Sequence, residues 1–155
     1  MSTFCSRNIT DYEIRLDTME YKLCCYTAWR PFENLLFESE WAKRRLRDHA
    51  SNVKNPDCKL CWNLEDKGIA SLRNLSYTYR PTITLILSNL CNLECKYCGP
   101  QSSSVWAEKL KDSKWTKGYI DPNDVEFQRK QDIVQNWINS MLDKNPVVII
   151  NGGEP

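Results

Sequence analysis

Cys91, Cys95 and Cys98 place three thiols within eight residues. Thiolates are soft ligands that select zinc or iron–sulfur centres, and a loop this short can wrap one face of such a centre. Three is the informative number, because a closed structural site takes four protein ligands whereas a site that does chemistry keeps one position open. The next cysteine, Cys61, lies 30 residues upstream. Five further thiols, Cys5, Cys24, Cys25, Cys58 and Cys61, precede the loop, and the two-residue gap between Cys58 and Cys61 is a metal-ligand spacing. A closed site can be built from Cys5, Cys58, Cys61 and one of Cys24 or Cys25. The spacing leaves zinc and iron–sulfur both open.

The elements that must position these thiols can be read from the pattern of apolar residues. Tyr12, Ile14 and Leu16, then Tyr21 and Leu23 across Asp17-Thr18, predict a short β-hairpin that delivers Cys24-Cys25 at its end. Ser39 reads as the N-cap of a helix over 39–49 that carries the basic run Lys43, Arg44, Arg45, Arg47 on a solvated face. His49, the sole histidine, stands near the C-terminus of that helix, where a cation is favourable. After Pro56, Cys58 to Cys61 open a predicted helix running to about Tyr77, on which Glu65 and Arg73, about two turns apart, can pair. The run TITLILS after Pro81 and VVII after Pro146 have the continuous apolar character of strands buried on both faces. Helices over about 102–111 and 124–142 separate them, so the two strands should be parallel and neighbouring or nearly so. The cysteine loop then begins where a parallel strand ends, which is where ligand sites form on such sheets.

With 21 basic and 20 acidic residues the net charge is +1, which supplies no bulk field for nucleic acid or an anionic membrane. The N-terminus lacks the apolar core of a signal peptide, and no stretch approaches the roughly 20 apolar residues needed to span a bilayer. These features imply a cytoplasmic protein. Eight cysteines in a reducing compartment then point to metal rather than to disulfides.

The pattern Cys91-Asn-Leu-Glu-Cys95-Lys-Tyr-Cys98 resembles the signature of the radical S-adenosylmethionine enzymes, and Gly152-Gly153-Glu154-Pro155 after VVII is similar to that family's glycine-rich motif. The resemblance implies a 4Fe-4S cluster on Cys91, Cys95 and Cys98 with S-adenosylmethionine on the fourth iron. It implies Tyr97 beside the adenine, and Gly152, Gly153 and Glu154 at the cofactor's amino group. Reductive cleavage would then yield a 5′-deoxyadenosyl radical that abstracts hydrogen from a substrate the sequence does not identify, with electrons from a reductant such as a flavodoxin or ferredoxin. The stretch Cys58-Lys-Leu-Cys61 with Glu65, Gly68, Ser71 and Arg73 looks like the accessory region of twitch or SPASM-type members, implying an auxiliary iron–sulfur cluster on four of the five N-terminal cysteines. It departs from many of them in preceding the barrel.

The expected fold is therefore α/β: a cysteine-rich twitch/SPASM-like α+β module over 1–80, then the first βα units of a partial TIM-like barrel over 81–155. Only about two barrel strands are in hand, so the chain reads as a fragment, a truncated product or one half of a split protein whose C-terminal half is a separate chain, and alone it can bind a cluster without turning over. Two rivals from other classes are a non-catalytic zinc-binding interaction module that uses the basic helix against nucleic acid, and an iron–sulfur electron-transfer subunit.

Overall fold

The computed structural model describes residues 5, 7–31, 39–74, 80–111 and 123–151. After a single helical turn, α1 (Arg7–Thr10), the alternation around Tyr12 and Ile14 folds as predicted into a hairpin, with β1 (Asp11–Arg15) antiparallel to β2 (Glu20–Lys22). Its turn closes on Met19 at φ 54°. A two-residue β3 (Arg30–Pro31) continues the sheet beyond β2. On its other edge β1 runs parallel to β4 (Thr82–Ile86), and β4 parallel to β5 (Val147–Asn151), giving one mixed sheet of order β3-β2-β1-β4-β5. The protein is thus mixed α/β, and the boundary at residue 80 falls inside this sheet. A row of five strands does not close on itself, and no barrel is formed among the described residues.

Between β4 and β5 come α4 (Ser104–Lys109) and α5 (Val125–Ser140), the helical crossover that a parallel pair requires. Asp124 caps α5 by accepting from the Phe127 N–H at 2.9 Å. α5 lays Phe127, Val134, Trp137 and Ile138 against the Tyr12, Ile14 and Ile83 face of the sheet, with Trp137 edge-on to Tyr12 at 5.1 Å between centroids. From the other end of the sheet, α2 (Glu40–Ala50) brings Ala42 and Trp41 to the same core, Trp41 edge-on to Tyr21 at 5.7 Å. Ser39 caps this helix, accepting from the Ala42 N–H.

Two expectations are corrected. β4 and β5 are not buried on both faces: Ile83 is the one fully buried residue of β4, and β5 is exposed along its length. Register explains it, since Val148 and Ile150 pair with Ile83 and Leu85 and so share the core face, but β5 is the last strand in the row among the described residues. The helix expected from Cys58 to about Tyr77 is also shorter. One 3-10 turn (Pro56–Cys58) leads into α3 (Lys59–Glu65), which ends before Gly68. There the chain takes φ +72°, a left-handed conformation that glycine adopts without strain, and turns back on the helix. Residues 75–79, with Tyr77, lie outside the described residues. Among the described residues no helix is long and apolar enough to cross a membrane.

Candidate metal centres

The loop after β4 carries Cys91, Cys95 and Cys98, all three half-buried. It is anchored to the start of α4 by side chains that satisfy its backbone. Ser104 Oγ accepts from the Cys91 N–H and donates to the Cys91 carbonyl, both at 3.1 Å. Ser103, the buried N-cap of α4, donates to the Leu93 carbonyl at 3.0 Å, and the Trp106 indole donates to the Cys95 carbonyl at 3.1 Å. Asn89 ties the two ends of the loop together through the Pro100 carbonyl at 3.0 Å. From β1, Arg15 reaches the Gln101 carbonyl at 2.8 Å while its guanidinium grips Asp17 through two bonds of 3.0 and 2.8 Å. A Lys109–Glu94 ion pair adds an exposed tie.

Desolvation, then the neighbouring Cys95 and Cys91 thiolates, push the Cys98 thiol above its ordinary value. Tyr97 is 90% exposed, and its phenol is raised first by a hydrogen bond to Cys95 and then by the charges of Cys95 and Cys98. It therefore stands clear of the fold with a free aromatic face. Gly152, Gly153 and Glu154 lie outside the described residues, one step past Asn151, the last residue of β5.

A second group of thiols lies at the opposite side of the sheet sequence, where the hairpin end meets α2 and α3. Cys5, Cys24, Cys58 and Cys61 are buried, at 5%, 7%, 7% and 4% exposure. Burial pushes the Cys24 thiol up to about 12, with Cys25 and Cys5 adding to the rise and Arg45 opposing it. Cys58 is raised by burial too, with Arg45 opposing and Cys5 and Cys61 adding. Four of the five candidates are thus buried. The fifth, Cys25, is exposed, with its sulfur 4.0 Å from the Arg7 guanidinium.

Cys58 and Cys61 are held by a dense local network. Asn55, fully buried, accepts from the Asp57 N–H at 2.9 Å and donates to Asp48 at 2.6 Å, while its carbonyl takes the Trp62 indole N–H at 2.9 Å. Glu65 and Arg73 do pair, through bonds of 2.9 and 3.1 Å, but across the turn after α3 rather than along one helix. Ser71 joins them at Glu65, and the Arg73 guanidinium lies 3.8 Å from the centre of the Trp62 ring. The Arg73 bond holds the Glu65 carboxyl below its ordinary range.

The basic helix is where the sequence reading departs most from the structure. Lys43, Arg44 and Arg47 face solvent, with Lys43 and Arg47 both paired to Glu40 at 3.3 and 3.8 Å. Arg45 instead points inward, its Nη2 3.7 Å from Cys58 Sγ and its Nη1 3.6 Å from Asp57. His49 does sit in the last turn of α2, yet it is buried, with Nε2 3.9 Å from the same sulfur. The available signal was the spacing of Ala42, Arg45 and His49, which puts all three on one face of a helix.

Among the described residues no three His, Cys, Asp or Glu side chains converge on a point where one metal ion could sit. A cubane cluster requires no such point, because each thiolate binds a different iron. No protein-family model, curated protein or solved structure matches this chain.

Proposed function

We propose that this chain is part of a radical S-adenosylmethionine enzyme, with a 4Fe-4S cluster on Cys91, Cys95 and Cys98 and an auxiliary iron–sulfur cluster on Cys5, Cys24, Cys58 and Cys61. The observation that carries the reading is one loop of three half-buried thiols at the C-terminal end of β4, which lies between two parallel neighbours. Parallel sheets put their ligand sites at that end. The donor set fits a cluster with one iron open, because the loop supplies three thiolates and its neighbours Ser103, Ser104 and Trp106 are spent on holding its backbone. When bound, the cluster and S-adenosylmethionine supply one-electron reductive cleavage.

The chain's own residues orient that chemistry. Arg15 and Asn89 fix the ends of the loop, so the thiols project from a backbone with few free torsions. Tyr97 offers an exposed aromatic face for the adenine. Gly152, Gly153 and Glu154 follow directly on β5, the neighbour of β4, and their glycines and carboxylate suit close approach to an ammonium group. Of the two thiols left open by the sequence, Cys24 is the one buried with Cys5, Cys58 and Cys61, and we assign the auxiliary ligand to it. A flavodoxin- or ferredoxin-type reductant, an unidentified substrate and a cytoplasmic setting complete the reading.

Anaerobic reconstitution with iron and sulfide tests it. Two iron–sulfur clusters per chain are expected by iron and sulfide analysis, with the broad visible absorption of thiolate-to-iron charge transfer. Changing Cys91, Cys95 and Cys98 to Ala should remove the iron of the loop cluster and leave that of the auxiliary one. Stoichiometric zinc without sulfide, in native protein purified free of oxygen, contradicts the reading.

A further inference from the structure

α2 turns an inverted face to the interior. Ala42, Arg45 and His49 are buried while Leu46 is exposed, whereas an ordinary amphipathic helix would bury the leucine. The Arg45 side chain is 0% exposed. A guanidinium removed from water is costly unless anions face it, and arginine cannot escape by losing its proton. Asp57 supplies one anion at 3.6 Å. That carboxylate is shared, however, for it also accepts the Trp41 indole N–H at 2.6 Å and faces Arg30 at 3.7 Å. The guanidinium also lies 5.2 Å from the centre of the Trp41 ring, and its Nη2 is 3.7 Å from Cys58 Sγ.

We propose that Arg45 is the built-in counter-charge of the Cys5, Cys24, Cys58 and Cys61 site, a positioning residue that stabilises an anionic thiolate centre in the interior and sets the potential at which that centre accepts an electron. The proposal rests on the auxiliary-cluster reading given above. Four thiolates leave an iron–sulfur core with net negative charge, and one-electron reduction adds one more. A fixed cation about 4 Å away, screened from water, favours the more negative state and so raises the reduction potential. Lysine would keep the charge, and glutamine or methionine would remove it while filling much of the same space.

The test is a potentiometric titration, followed by electron paramagnetic resonance, of the full chain carrying Cys91, Cys95 and Cys98 changed to Ala, so that only the auxiliary centre is seen. Arg45→Gln is expected to shift the reduction equilibrium at least tenfold against the reduced form, about 59 mV lower for a one-electron couple, with iron content unchanged. Arg45→Lys should stay near the parent potential. If Arg45→Gln does not fold, Arg45→Met replaces it in the same titration, with the same expected shift. A neutral variant with the parent potential, or a lysine variant shifted as far as the glutamine one, overturns the inference. A parent chain that takes up no iron and sulfide overturns the auxiliary-cluster reading, and the inference with it; that failure is read from metal content and not from potential.

Discussion

The two cysteine groups differ in how the protein treats sulfur. At the N-terminal group four thiols are sunk below the surface, walled by Arg45 and His49 and braced by the Asn55, Trp62, Glu65 and Arg73 network. In the 91–98 loop the thiols are half-buried, and the bracing acts on the backbone rather than around the sulfurs. A centre with all its positions filled by protein can be enclosed, because nothing needs to enter. A centre that takes an exogenous ligand has to leave a face open to it. Under the proposed reading, storage or relay of charge would fall to the buried group and chemistry on a bound molecule to the open one.

The strongest way to break this contrast is to remove the brace of the enclosed group. Glu65→Ala leaves the buried Arg73 without its bidentate partner and is expected to cost about 3 kcal/mol, read by chemical denaturation, together with loss of iron from the N-terminal site alone. Equal loss from both sites would show that they do not fold as separate local structures. Next in size, Cys24→Ser should abolish the N-terminal cluster while Cys25→Ser leaves iron content unchanged; the reverse order would move the fourth ligand to the exposed thiol. Ser103→Ala removes the α4 cap and the tie to Leu93, and should cost about 1 kcal/mol while speeding cluster loss from the 91–98 loop, followed by bleaching of visible absorption in a chelator.

The smallest effect is a pH dependence. Arg73 holds the folded Glu65 carboxyl below its ordinary value of 4.5, so the pair's contribution is fully present above that pH and is lost as pH falls through the lowered folded value. Native protein should lose stability below about pH 4.5 more steeply than Glu65→Gln, measured by denaturation midpoints at a series of pH values. Equal slopes would mean the pair is not formed in solution.

What the sequence revealed and what it hid follows from the range of the interactions. The hairpin, the Ser39 cap, α4, α5 and the parallel pairing of β4 with β5 come from local patterns of spacing and capping, and each was readable. The early end of α3 was not, because it depends on Glu65 finding Arg73 across a turn at Gly68 rather than along a helix. The pairing of β1 with β4, about 70 residues apart, has no local signature either. Arg45 was read as a solvated charge because helix periodicity sorts residues by polarity, and a polar residue turned inward makes sense only once the sulfurs it faces are in place. That Cys24 is buried and Cys25 exposed was not readable either, because successive residues at a hairpin end do not disclose which one faces inward.

The central claim is that the 91–98 centre has an iron with no protein ligand. Electron paramagnetic resonance of the reduced, reconstituted chain with and without S-adenosylmethionine addresses it directly. The account predicts that adding S-adenosylmethionine changes the g-values of one cluster signal, that this signal disappears when Cys91, Cys95 and Cys98 are changed to Ala, and that the other signal is indifferent to it. A spectrum unchanged by S-adenosylmethionine, from protein carrying both clusters, would contradict the account.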